Sequence, residues 1–371
     1  MRNASSAIAN SAVARILVCC MLVSASAITG CDSAIEPGAG GNGGSSSAAA
    51  DISEDELKSR IENVLDFSLT RHMNTKDHGA WQILHGVLAY GANLRIEHEG
   101  ELVRAVDVIS NGGMINGFLL RPTEHGIDSI VQPGSLQGQG HDDQWLAELS
   151  QGNMDLDYKI RWGDTDYTLR DLLTQAQRDL NEQSEATWTL MALATFVPID
   201  AEWEANDGTK WNFDRLVALE ANRDINDPEA SACGGTHRLV GLSLAINSYL
   251  TANPDAKLTG PWATADRKIQ EAIAKAREFQ QPDGAFSAQY FSRPGDTTNE
   301  EERIGTTGHT LEFLCFAMSD EQLAEPWVAR AANHLCELLE ATKEETVECG
   351  ALYHALHGLQ LYHFRRWEMA Q

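Results

Sequence analysis

"ACGGTHRLVGLSLAI" runs from Ala232 to Ile246 and sets a cysteine, two glycines, a threonine and a histidine directly before an apolar stretch. From Leu239 to Ile246 nothing is charged. A helix that is apolar nearly all round belongs in an interior, because no face of it suits water. Gly234 and Gly235, ahead of Thr236, supply the turn that such a helix needs at its start. Five further segments read the same way: "GAWQILHGVLAYG" from Gly79, "HDDQWLAELSQ" from His141, "ATWTLMALATF" from Ala186, "TGHTLEFLCFAM" from Thr307 and "GALYHALHGLQLY" from Gly350.

Between these lie segments with one apolar stripe and one charged face, the pattern of an outer layer. They cover 51–69, 167–180, 211–223, 263–279 and 319–343. The first opens on a Ser53-x-x-Glu56 capping box and carries Leu57, Ile61, Leu65 and Leu69 at helical spacing. The inner segments recur about every 45 to 70 residues, the length of a helical hairpin with its loops. The expected fold is therefore all-α, an (α/α)6-type toroid of alternating inner and outer helices in a single domain over 51–371. Two β-hairpin excursions are expected, in "NLRIEHEGELVRAVDVI" from Asn93 and in "YKIRWGDTDYTL" from Tyr158. The glycine-rich stretch from Ile109 to Asp128 reads either as a loop over the cavity mouth or as a plain surface connection.

The alternation resembles the α/α toroid shared by terpenoid cyclases, protein prenyltransferase β-subunits and lanthipeptide cyclases. Within "AREFQQPDGAF", Phe279, Gln281, Gly284 and Phe286 resemble the QW motif of the terpenoid cyclases, with phenylalanine in place of tryptophan. The resemblance implies that the glutamine caps a helix end while the aromatic packs on the adjoining turn, a stabilising role. The relatives' chemistry does not carry over. The strings nearest a DxDD acid motif start at Asp155 and Asp164, in or near an expected hairpin. Ser231 stands two residues before Cys233, where the prenyltransferase pattern needs aspartate, and no adjacent Cys-His pair is present.

The N-terminal residues 1–30 read as a bacterial lipoprotein signal peptide: Arg2 and Arg15 precede a short apolar run from Ile16 to Ile28, and the segment ends in Ile28-Thr29-Gly30-Cys31. This "ITGC" resembles a lipobox, which implies a lipid on Cys31 and attachment to the envelope membrane. Residues 31–50, rich in Gly, Ser and Ala, form a flexible linker. With 28 Lys+Arg against 54 Asp+Glu, a formal net charge of −26, the surface repels polyanions, so nucleic acid is excluded as a partner. A small molecule or an oligosaccharide is the expected ligand. In an exported chain, Cys233, Cys315, Cys336 and Cys349 have the number for up to two disulfides.

Histidine recurs at or near the heads of the inner segments: His78, His141, His237, His309 and His354, with Trp188 standing in once. Parallel inner helices would gather them around one concave face. One reading is acid/base catalysis by this set together with Asp142, with Trp81, Trp145, Trp188 and Tyr353 as platforms for a sugar. Another is zinc on Cys233, His237 and His309, completed by His354 or Cys349. The plain alternative is that each histidine is a satisfied polar residue at a helix start, in a non-catalytic scaffold. His85 and His357 read as buried polar contacts, and His72, His98, His125, His334 and His363 as surface or incidental positions.

Overall fold

A computed structural model describes residues 52–369, apart from 136 and 226–230. The leader, Cys31 and the linker lie outside the described residues. Among the described residues no helix is long and apolar enough to cross a membrane. The chain is mainly helical, with small sheets at its edges.

Six helices are buried along most of their lengths: α2 (Ala80–Tyr90), α4 (Gln144–Gln151), α6 (Thr187–Phe196), α8 (Thr236–Ala252), α10 (Glu300–Ala317) and α13 (Cys349–His363). Each packs against the next in chain order, and α13 packs back against α2. Outside them stand α1 (Glu54–Ser68), α3 (Ala105–Ser110), α5 (Leu169–Asp179), α7 (Phe213–Ala221), α9 (Gly260–Glu278) and α12 (Pro326–Ala341). A one-turn helix, α11 (Asp320–Leu323), precedes α12. The outer helices bury single stripes, as Leu57, Ile61 and Val64 do on α1. Side chains cap two of their starts, Ser53 on α1 and Asn212 on α7, and Asn299 caps α10 of the inner set.

The two expected hairpins are present: β2 (Arg95–His98) pairs with β3 (Glu101–Arg104), and β6 (Lys159–Trp162) with β7 (Thr165–Thr168). Glu99 and Gly100 both take positive φ, 51° and 87°, as a two-residue type I′ turn demands. A short strand β1 (Met73–Asn74) adds in parallel to β2. Two hairpins went unforeseen, β4 (Leu120–Pro122) with β5 (Ile127–Ser129) and β8 (Glu202–Glu204) with β9 (Lys210–Asn212), because strands this short carry almost no alternation to read. The sequence from Ala105 to Ser110 is helix, not the continuation of a hairpin.

The tightest inner crossing is α10 on α13. A Cβ at Gly308 would stand 2.6 Å from Ala355 Cα, and one at Gly358 would stand 3.0 Å from the Glu312 nitrogen. Glycine at these two points lets the backbones approach closely, and the approach carries His309 toward His354. In the stretch resembling a QW motif, Phe286 is buried edge-on to Trp327 at 6.0 Å. Gln281 Nε2 donates to Gly295 O at 3.0 Å and, at 3.5 Å, to the carbonyl of Phe279 at the end of α9, while its neighbour Gln280 Nε2 donates to Trp327 O at 2.8 Å. All four described cysteines are free, and Cys315 and Cys336 are buried in the core, as their places in apolar helical patterns lead one to expect.

Candidate functional site

The N-terminal halves of all six inner helices border one cavity of about 550 Å³. His141 and Gln144 at the head of α4, Trp188 on α6, His237 on α8, His309 on α10, His354 on α13, and Trp81 and His85 on α2 all line it. Its mouth carries the exposed Glu301, Glu302 and Glu348. The histidines do not occupy equivalent positions. His237 is the second residue of its helix, whereas α10 begins at Glu300, well ahead of His309. Asn299 caps Glu301 and Glu302 and extends α10 toward the mouth, which the apolar pattern alone did not reveal.

A turn over Ala232–Gly235 sets up the cysteine. Cys233, Gly234 and Gly235 have φ of 50°, 63° and 82°, so three consecutive residues sit in the left-handed region. A Cβ at Gly234 would collide with the Tyr290 ring, so only glycine fits there. The turn leaves Cys233 exposed on the cavity wall. Beneath it, the buried Arg238 guanidinium donates from Nε to Glu220 Oε2 at 2.9 Å and also bonds Ser231 Oγ. Glu220 accepts from Thr187 Oγ1 at 2.7 Å as well, tying the turn to α6 and α7.

Four rings converge on the floor. His309 and His354 have centroids 4.0 Å apart, His237 and His354 4.9 Å, His237 and His309 5.2 Å, and His85 and His354 5.2 Å. Three of the four are held in one tautomer. The His309 Nδ1–H donates to Gly305 O at 2.7 Å, the His85 Nδ1–H to Trp81 O at 2.6 Å, and the His354 Nδ1–H to Glu312 Oε2 at 2.8 Å. With Nδ1 committed, the neutral ring keeps its lone pair on Nε2. His237 differs: it is 6 % exposed, packs on Trp188 at 4.5 Å, and has no hydrogen-bond partner among the described residues.

One donor atom each from Cys233, His237 and His309 lies within 4.8 Å of the other two. Three atoms so placed share a point at most about 2.8 Å from each, against zinc bond lengths of about 2.0 to 2.3 Å. Small side-chain rotations close that difference. The donor set, a cysteine sulfur and two imidazoles, one of them fixed by a backbone carbonyl, suits zinc.

The electrostatics separate the rings. Burial, with His354 and His309 nearby, keeps His237 well below the ordinary histidine range. Burial beside His354 pushes His85 down to about 3. His309 goes the other way: burial opposes its charge, but Cys233, by charge and hydrogen bond, outweighs it and lifts His309 to about 9. Glu312 is buried, which disfavours its charge, yet the His354 and His357 rings hold it well below the carboxylate range.

Four expected residues stand elsewhere. His78 sits in a turn where its Nδ1 accepts the Asn74 N–H at 3.2 Å. Asp142 borders a separate acidic cavity of about 380 Å³ with Asp128, Asp143 and Asp179, because Asp143, at φ 59°, turns the chain between His141 and α4. His141 pairs instead with Glu185 at 2.8 Å. Trp145 is fully buried against Phe118, and Tyr353 edge-on to Tyr90. Each follows or precedes a cavity residue by one, and a helix turns about 100° per residue, so both cannot face inward. No residue from 109 to 128 borders the cavity. His334, expected at the surface, is 7 % exposed.

The sequence reading missed Glu312, Tyr290 and the cavity role of His85. His309 and Glu312, and His354 and His357, are each spaced i, i+3, which places each pair on one helix face and was a usable signal. Tyr290 lies in a loop without periodicity. Compared with models of protein families, with curated proteins and with solved structures, the chain finds no significant match in any of the three.

Proposed function

We propose that this protein is an exported enzyme, anchored by lipid on Cys31, whose (α/α)6-type toroid holds a zinc ion in its central cavity and performs hydrolysis or elimination on a small molecule or oligosaccharide. The kinship with terpenoid cyclase-like toroids belongs to the same reading. It draws support from the cyclic packing order of the inner helices. The observation that carries it is the meeting of Cys233, His237 and His309 donors within 4.8 Å on the cavity wall.

Three protein ligands leave zinc one position for substrate or water, the arrangement of catalytic sites. Bound there, zinc polarises a substrate oxygen or activates water. The remaining work falls to the chain. His354, with Nδ1–H tied to Glu312, presents Nε2 as a proton acceptor, and Glu312 stabilises the imidazolium that results. Trp81 offers an apolar face to a ring, whereas Trp188 is taken up by the His141 and His237 rings, and His141, backed by Glu185, borders the cavity.

A second reading rests on the His309–Cys233 pair. Cys233 lifts His309 to about 9 against the effect of burial, and the exposed sulfur and the ring together form a cysteine–histidine couple suited to nucleophilic chemistry. Elemental analysis decides between them. Protein expressed with added zinc is expected to hold one zinc per chain, and Cys233→Ser and His309→Ala to hold much less. Absence of metal, with rapid and selective alkylation of Cys233, overturns the zinc reading in favour of the thiol. Absence of both leaves a non-catalytic scaffold.

A further inference from the structure

We infer that the cavity takes a cationic organic ligand, one bearing an ammonium or guanidinium group that sits against Glu301 and Glu302 while the rest of the molecule reaches the histidines. This deepens the enzyme reading above and rests on it.

Three observations carry the charge sign. No lysine or arginine borders the cavity, while three carboxylates do. Arg303, next to Glu302 in the chain, is drawn away into ion pairs with Asp283 and Asp296. Helix N-termini ordinarily attract anions, and two of them open here, but the chain fills both itself. Glu348 accepts the Gly350 and Ala351 N–H groups at 2.8 Å each, and the first turn of α10 carries Glu300, Glu301 and Glu302 behind the Asn299 cap. An incoming anion therefore meets carboxylates where it would have met free N–H groups.

A cation meets the reverse. Glu301 and Glu302 have no basic ion-pair partner among the described residues, and the half-buried Trp81 ring on the cavity wall adds the attraction of an aromatic face for cations. One buried group on the same wall also lacks a partner: the Trp188 Nε1–H, a donor for an acceptor atom elsewhere on the ligand.

The test uses benzyltrimethylammonium, whose quaternary nitrogen cannot coordinate a metal, beside benzyl alcohol and benzoate. Binding is read by tryptophan fluorescence and calorimetry on the full chain, with and without bound zinc. The cation is expected to bind at least about tenfold more tightly than either comparator, to weaken as salt is raised, and to lose at least about fivefold in Glu301→Gln/Glu302→Gln. Equal or tighter benzoate binding overturns the inference, as does cation binding indifferent to both salt and the double variant. Zinc content measured on the same samples separates the two proposals: cation preference without zinc refutes the metal alone, and zinc without cation preference refutes the ligand class alone.

Discussion

His354 Nδ1 stands 2.8 Å from Glu312 Oε2, and both side chains are 3 % exposed. The other oxygen of Glu312 receives the His357 Nδ1–H at 2.5 Å, so one buried carboxylate orients two imidazoles from the neighbouring helix. His357 keeps no contact with the cavity, and its part is to saturate the second oxygen.

Replacing Glu312 with glutamine leaves one acceptor for two N–H donors and sets an amide NH2 against the other ring. Loss of a charge-assisted hydrogen bond in the interior costs about 2 to 3 kcal/mol. Urea unfolding of Glu312→Gln should show that loss, and nitrogen-15 NMR should show His354 and His357 as tautomer mixtures.

Acid should unfold the protein from mildly acidic pH downward. His85, at about 3 when folded and about 6.5 when unfolded, binds its proton only in the unfolded chain between those values. Stability is then full above about pH 6.5 and falls by about 1.4 kcal/mol per unit below it from this group alone. Glu312, depressed in the fold, adds a further loss below the ordinary carboxylate range. Unfolding free energies measured from pH 7 to pH 4 should give this slope, and His85→Gln should flatten it.

Gly308→Ala tests the helix crossing. Alanine favours a helix by up to about 1 kcal/mol, but its Cβ would meet backbone atoms of Ala355 that cannot rotate away. A net destabilisation of about 1 to 2 kcal/mol is expected, together with a weakening of zinc affinity by about tenfold or more as His309 is displaced. Thermal melts and competition with a chromophoric chelator check both.

The Arg238–Glu220 pair supports Cys233 from below. Arg238→Met strands Glu220 at 0 % exposure and should cost about 3 kcal/mol or more. The double replacement Arg238→Met/Glu220→Leu should recover most of that stability without recovering metal binding, since the turn at Ser231 loses its anchor. Parallel denaturation and metal titration of the three proteins separates the effects.

Helix burial could be read from the sequence because apolar runs are local: the heads of α2, α4, α6, α8 and α13 fall within three residues of their expected starts. The start of α10 was missed because Glu300, Glu301 and Glu302 are polar, and the signal there was a cap at Asn299, not hydrophobicity. Cys233, His237 and His309 could be named in advance as a ligand set, since residue types suggest chemistry. Which neighbours join them depends on helix rotation. Tyr353 and His354 look equivalent in the sequence, and a turn of about 100° sends one to the core and the other to the cavity. The acidic rim was invisible for the same reason, because Glu301 and Glu348 meet only when α10 and α13 lie side by side.

The cyclic contact order has a consequence for how the molecule comes into being. His85 and His354 stand on α2 and α13, helices far apart in the chain, and touch only once α13 has docked against α2. Cys233 and His237 share one short segment, but His309 reaches them across a long stretch of chain. The three donors Cys233, His237 and His309 need only α8 and α10, consecutive inner helices, to lie side by side, whereas His85 meets His354 only at the seam between α2 and α13. If zinc binds as proposed, a chain in which α10 has not docked would offer it only the Cys233-x-x-x-His237 couple. The rate at which a refolding chain withdraws zinc from a weak chelator would then report the docking of α10 on α8, and the environment of His85 the closing of the seam.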